Sequence, residues 1–136
     1  DIDLSPAMTL ETRILQIKDV KKGETVGYNA AYMADEDIKI AVLAIGYNNG
    51  IGHKNLGRTV VINGKRYPVI GELGMNMIAV KADDSVKLSD TVTLLGNGIT
   101  LGMFSRSADM GLGESLMSIG KNNKRVYVED GGEGVE

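Results

Sequence analysis

Asn63-Gly64 limits what this chain can become more than any other pair of residues in it. The dipeptide separates Thr59-Val60-Val61-Ile62 from Lys65-Arg66-Tyr67-Pro68-Val69-Ile70, two runs rich in β-branched residues. Asparagine and glycine tolerate positive φ at successive positions, which a two-residue type I′ turn demands, and the twist of that turn matches the strands it joins. The spacing therefore predicts an antiparallel hairpin.

The rest of the chain offers more strands of the same kind. Residues 8–20 carry threonine and β-branched side chains with an imperfect alternation, as in a long strand with a bulge. Lys21-Lys22-Gly23-Glu24 reads as a turn with Gly23 at positive φ, and Ala34-Asp35-Glu36-Asp37 as a second polar turn. Residues 38–47 are almost continuously apolar, the pattern of a central strand covered on both faces. A loop over 48–55 and a glycine-rich stretch over 71–77 follow, the latter running into strands at 78–82 and 91–95. Past Thr100, Leu101, Met103, Phe104 and Ala108 predict a short helix ending at Met110-Gly111, and residues 115–119 suit a further helical turn. A strand at 124–128 closes the series. The expectation is a mainly β domain over residues 1–129, a small β-barrel-like structure with about seven or more strands and one or two short helices. The acidic, glycine-rich residues 130–136 have nothing to bury and are expected to be a disordered tail.

At 136 residues the chain suits one domain with one core. Its 15 basic and 18 acidic residues give a net charge of −3 without any block of like charge, which argues against nucleic acid or an anionic membrane as partner. The longest apolar run, 40–46, falls far short of the roughly 20 residues that cross a bilayer. No cysteine is present, so thiol chemistry and disulfides are absent and a cytoplasmic setting is expected. His53 is the only histidine, which excludes a zinc site built on several imidazoles. Beside Lys54 it reads as half of a solvated surface pair. Asp1 in place of an initiating methionine leads to the expectation that more chain preceded it.

Two tyrosines stand four apart in Val26-Gly27-Tyr28-Asn29-Ala30-Ala31-Tyr32. A glycine-flanked segment between strand-like runs can present a phenol at a rim, where it meets a ligand or a partner chain. It equally suits ordinary edge aromatics, ring inside and hydroxyl out. The local pattern leaves both readings open. Gly111-Leu112-Gly113 lacks the third glycine and the preceding strand of a dinucleotide cradle.

Pro6-Ala7-Met8-Thr9-Leu10-Glu11-Thr12-Arg13-Ile14, Gly23-Glu24-Thr25 with the tyrosine segment, Ile45-Gly46-Tyr47 and Gly71-Glu72-Leu73-Gly74-Met75 together resemble the C-terminal domain of the alanine racemases. The resemblance runs from about Pro6 to Val128. It implies an N-terminal (β/α)8 barrel domain whose lysine holds pyridoxal 5'-phosphate as a Schiff base, a homodimer partner, and a small amino-acid substrate such as alanine. By the same matching, Tyr28 is the catalytic tyrosine lent to the partner subunit's active site. Met75 places its backbone N–H on the substrate carboxylate there, and Tyr47 lines the entrance. Racemisation removes a proton from one face of the α-carbon and returns it to the other, so two opposed groups are needed. A free phenol, with a pKa of about 10, needs a positive neighbour to act near neutrality, and that neighbour would come from the barrel domain.

The chain departs from the family pattern at named positions. Asn76 stands where aspartate is usual, Glu72 where arginine is, Gly74 where cysteine or serine is, and Gly113 where a tyrosine contacts the cofactor phosphate. Asn48-Asn49-Gly50-Ile51-Gly52-His53 replaces Ala-Asp-Gly followed by an aromatic, a proline and an arginine. No residue of this chain is thus assigned to the cofactor. The resemblance implies L- to D-alanine interconversion by the intact protein, with the isolated domain inactive, and its alternative is a non-catalytic dimerisation or ligand-binding relic.

Overall fold

The computed structural model describes residues 9–27, 32–122, 126–129 and 132–135, with the backbone alone from 121 onward. Six strands close into a barrel: β1 (Leu10–Val20), β4 (Ile38–Leu43), β5 (Thr59–Ile62), β6 (Lys65–Ile70), β7 (Ile78–Ala82) and β8 (Thr91–Leu95), in the order β1-β4-β7-β6-β5-β8. Two short strands, β2 (Thr25–Val26) and β3 (Tyr32–Met33), form a separate ribbon. Helices α1 (Leu101–Ala108) and α2 (Leu112–Asn122) follow, then β9 (Val126–Glu129) and β10 (Gly132–Val135). The domain is mainly β, as expected.

The Asn63-Gly64 hairpin forms with Ile62 opposite Lys65, and φ is 52° at Asn63 and 79° at Gly64. β1 carries the expected bulge, and the bulge has a purpose. Its first residues pair with β8 and the rest with β4, the register shifting between Ile14 and Gln16. An extra residue bends a strand and strengthens its twist, so one strand can complete both edges of the barrel and leave none open.

β4 explains its apolar run by facing two cores. Ala41 and Leu43 point into the barrel, against Ile14, Val60, Ile62, Val80, Val92 and Leu95. Ile38 and Ile40 point outward into a smaller cluster with Val20, Val26, Ala34 and Ile70, beneath the β2–β3 ribbon. The strand nevertheless stops at Leu43 instead of reaching Tyr47. The Gly46 N–H donates to Asn49 Oδ1 at 3.0 Å and the Asn49 N–H to Gly46 O at 2.9 Å, which turns Tyr47–Asn49 into a 3-10 turn.

α1 starts where Thr100 Oγ1 accepts the Met103 N–H at 3.1 Å and ends at Asp109, in the left-handed region at φ 55°. It lays Leu101, Phe104 and Ala108 on the barrel. α2 is longer than the single turn expected. Ser115 and Ile119 are its buried face, Ser115 Oγ lying 2.8 Å from Ser105 Oγ, while Leu112, Leu116 and Met117 are exposed and obscure the amphipathic pattern. In the tail, Gly132–Val135 pairs antiparallel with Val126–Glu129. Among the described residues no helix is long and apolar enough to cross a membrane.

Candidate functional site

The loops leaving β4 and β6 meet at one end of the barrel. The Tyr47 N–H donates to Gly74 O and the Asn48 N–H to Met75 O, each at 3.0 Å, and Asn48 Nδ2 donates to Asn76 Oδ1 at 3.2 Å. Gly46 has no room for a side chain, because a Cβ there would collide with the carbonyls of Gly74 and Met75. Tyr47 and Met75, far apart in sequence, are thus zipped together by their backbones. The Met75 side chain is 47% exposed, and its N–H finds no acceptor among the described residues.

Tyr28 lies outside the described residues. The chain leading to it ends on the same rim: a Cβ on Gly27 would lie 3.6 Å from the Glu72 nitrogen, and one on Gly71 would lie 3.1 Å from Val26 O. Val26 and Tyr32 pair across the β2–β3 ribbon. Between this ribbon and the β6–β7 loop is an open hollow of about 310 Å³, lined by Val26, Gly27, Val42, Glu72, Met77 and Ile78.

His53 and Lys54 are both exposed, as expected, but they take different partners. The His53 imidazole stacks on the Tyr47 ring, centroids 4.2 Å apart and planes at 27°, while Lys54 pairs with Asp109 at 3.3 Å. Ile51, alone between two glycines, is the clue the sequence held: it is fully buried and anchors the loop that carries His53. Arg58 gave no such signal. Only 3% exposed, it donates from Nε to Lys54 O at 2.9 Å and from Nη2 to Ile51 O and, at 3.5 Å, to Gly52 O. Its guanidinium lies 5.4 Å from the centre of the Phe104 ring. Burial pushes its pKa down to about 10, so it stays protonated at neutral pH.

The described residues do not form a cradle for a phosphate-bearing cofactor. Gly113 supplies no hydroxyl, and the first turn of α2 holds Glu114, whose carboxylate accepts the Gly111 N–H at 3.2 Å. A carboxylate there satisfies the helix terminus and repels a phosphate. Neither do any three His, Cys, Asp or Glu side chains among the described residues cluster to hold a metal ion.

The sequence pattern described as "Alanine racemase, C-terminal domain" matches residues 7–127. The alanine racemase of Pasteurella multocida is 39% identical over 104 residues, which is 74% of this chain and 29% of that protein. A solved alanine racemase of Clostridium difficile 630 superposes with a TM-score of 0.87 at 30% identity, covering 98% of this chain and 36% of that one. The alanine racemase of Bartonella henselae, solved with covalently bound pyridoxal phosphate, gives 0.80 at 31% identity over 88% of this chain and 34% of that one. The chain spans about a third of the length of the relatives it matches. A pattern shared over nearly all of its length, on a shared fold, makes this chain a member of the alanine racemase C-terminal domain family.

Proposed function

We propose that this chain is the β domain of a pyridoxal-phosphate-dependent amino-acid racemase, completing the active site of a partner subunit and inactive alone. The observation that carries this reading is the rim itself. A backbone N–H at Met75 with no acceptor among the described residues lies beside Tyr47, on the loop against which Val26 and Gly27 pack. An unpaired backbone donor is a ready partner for a carboxylate. In this reading Met75 binds the carboxylate of the amino acid, Tyr47 and His53 form the entrance wall, and Tyr28 exchanges a proton with the α-carbon on one face. The barrel domain holds the cofactor, which when bound spreads the negative charge left at that carbon. The reading includes a homodimer and a cytoplasmic location.

Joining the chain to its N-terminal barrel domain and following α-hydrogen exchange of L- and D-alanine in deuterated water tests the assignment. Tyr28→Phe is expected to abolish exchange from one enantiomer, and equal rates in the two proteins would remove the role. The Gly113 and Glu114 arrangement at α2 favours a second reading, a non-catalytic relic of the same domain. It predicts that the full-length protein shows no Schiff-base absorbance band, and a band that bleaches with reductant discards it.

A further inference from the structure

The loop between the 3-10 turn and β5 contains no regular secondary structure, yet Ile51 within it is fully buried. Three of its residues, Gly50, Gly52 and Gly57, take positive φ of 81°, 80° and 78°, and the first two are hemmed in, Gly50 by the backbone of Ser118 and Gly52 by the Met110 sulfur and the Arg58 guanidinium. Buried irregular backbone needs partners for its carbonyls. Here one side chain supplies them: Arg58 meets the carbonyls of Ile51, Gly52 and Lys54. No carboxylate lies within ion-pairing distance of it among the described residues. A buried charge persists only where hydrogen bonds and polarisable surroundings replace water, and the three carbonyls with the Phe104 face provide both.

Arg58 is itself tied to the barrel. Its N–H donates to Asn55 Oδ1 at 3.0 Å, its carbonyl accepts the Val69 N–H at 2.9 Å, and Asn55 Nδ2 donates to Val69 O at 2.8 Å. A continuous path therefore runs from β6 through Arg58 to the loop carrying His53. The partner ring, Tyr47, is held by other bonds: its N–H donates to Gly74 O and its carbonyl accepts the Gly50 N–H. One ring stack is too weak to order a glycine-flanked loop by itself.

We propose that Arg58 is the positioning residue of the rim: its guanidinium gathers the carbonyls of Ile51, Gly52 and Lys54 so that the His53 imidazole is held against Tyr47. The stack is a property of this chain alone. Its consequence, a preset entrance wall that tunes binding of the amino acid, rests on the racemase reading. Lysine cannot replace the arginine fully, since an ammonium is a point donor and not a planar fork.

Because His53 is the only histidine, its imidazole proton resonances report on the stack without ambiguity. In the unaltered chain, cross-relaxation between the His53 and Tyr47 rings is expected, and its absence overturns the proposal. Tyr47→Leu calibrates the ring-current shift. Arg58→Met is expected to move the His53 signals to their Tyr47→Leu positions while the barrel methyl signals stay dispersed, and Arg58→Lys to move them part of the way. Unmoved His53 signals in a folded Arg58→Met chain overturn the proposal, and if that variant does not fold, unmoved signals in Arg58→Lys do the same. In the full-length protein Arg58→Met is expected to raise KM for alanine several-fold with kcat nearly unchanged, and an unchanged KM removes the functional half. Lack of racemisation by the unaltered protein would defeat the racemase reading and leave the resonance result standing.

Discussion

Val60, Ile62, Val80, Val92 and Leu95 in the barrel interior are fully buried and touch one another from several strands, so each is supported by many neighbours. Tyr47 and Met75 at the rim hang instead on a few backbone hydrogen bonds and a glycine with no room to grow, and the loop of His53 beside them on one arginine. The first arrangement is redundant and non-directional, whereas the second is sparse and directional. Apolar packing tolerates exchange of side chains at fixed volume, while a single lost donor leaves specific carbonyls unpaired. Disturbing the barrel should therefore lower the stability of the whole chain. A disturbed rim should change where the candidate site residues stand.

Leu95→Ala, in the fully buried interior, is expected to have the largest effect, about 2–5 kcal/mol in urea unfolding, from lost transfer energy and the cavity left behind. A cost below about 1 kcal/mol would mean that the barrel is not the dominant core. Gly46→Ala should follow with roughly 1–3 kcal/mol, because its Cβ must push the Gly74 and Met75 carbonyls away. Amide exchange at Tyr47 and Asn48 should rise in that variant while exchange in β5 and β6 stays slow. A uniform rise in both regions would erase the contrast between them.

The far end of β7 offers a pH test. Hydrogen bonds from the Ser85 side chain, with those from the Ser85 amide and the Tyr67 hydroxyl and the nearby Lys65, hold the Asp83 carboxyl below its usual range. A carboxyl whose folded pKa is depressed contributes stability at pH values above its unfolded pKa of about 4, and that contribution is lost as pH falls through the folded value. Asp83→Asn is thus expected to flatten the acid limb of the urea midpoint below about pH 4, leaving the His53 resonances in place. Lys54→Ala, which removes the exposed pair with Asp109, should have the smallest effect, within about 0.5 kcal/mol. A larger loss, with displaced His53 signals, would transfer to Lys54 part of the work assigned to Arg58.

Much of the barrel was legible in the order of residues. The Asn63-Gly64 turn needs only two residues that accept positive φ, and the bulge of β1 showed as a broken alternation. The boundary at Leu43 was not legible, because an apolar run does not reveal that Asn49 reaches back to the Gly46 N–H. α2 looked shorter than it is, since its exposed Leu112, Leu116 and Met117 mix with its buried positions. Tyr47 and Met75 were singled out by resemblance, and their juxtaposition rests on backbone bonds that no local pattern encodes.

The strand-forming runs, the turns between them and the apolar positions that could build a core follow from the sequence alone, because φ preference and hydrophobic alternation are local properties. Which residues share the rim was decided only in the folded chain. Antiparallel pairing of both β4 and β6 with β7 brings their ends to one side, and the His53 stack and the Arg58 clamp are contacts across loops whose partners the sequence does not name. A buried arginine that takes carbonyls instead of a carboxylate has no signature in composition, since its partners exist only once the loop has folded around it.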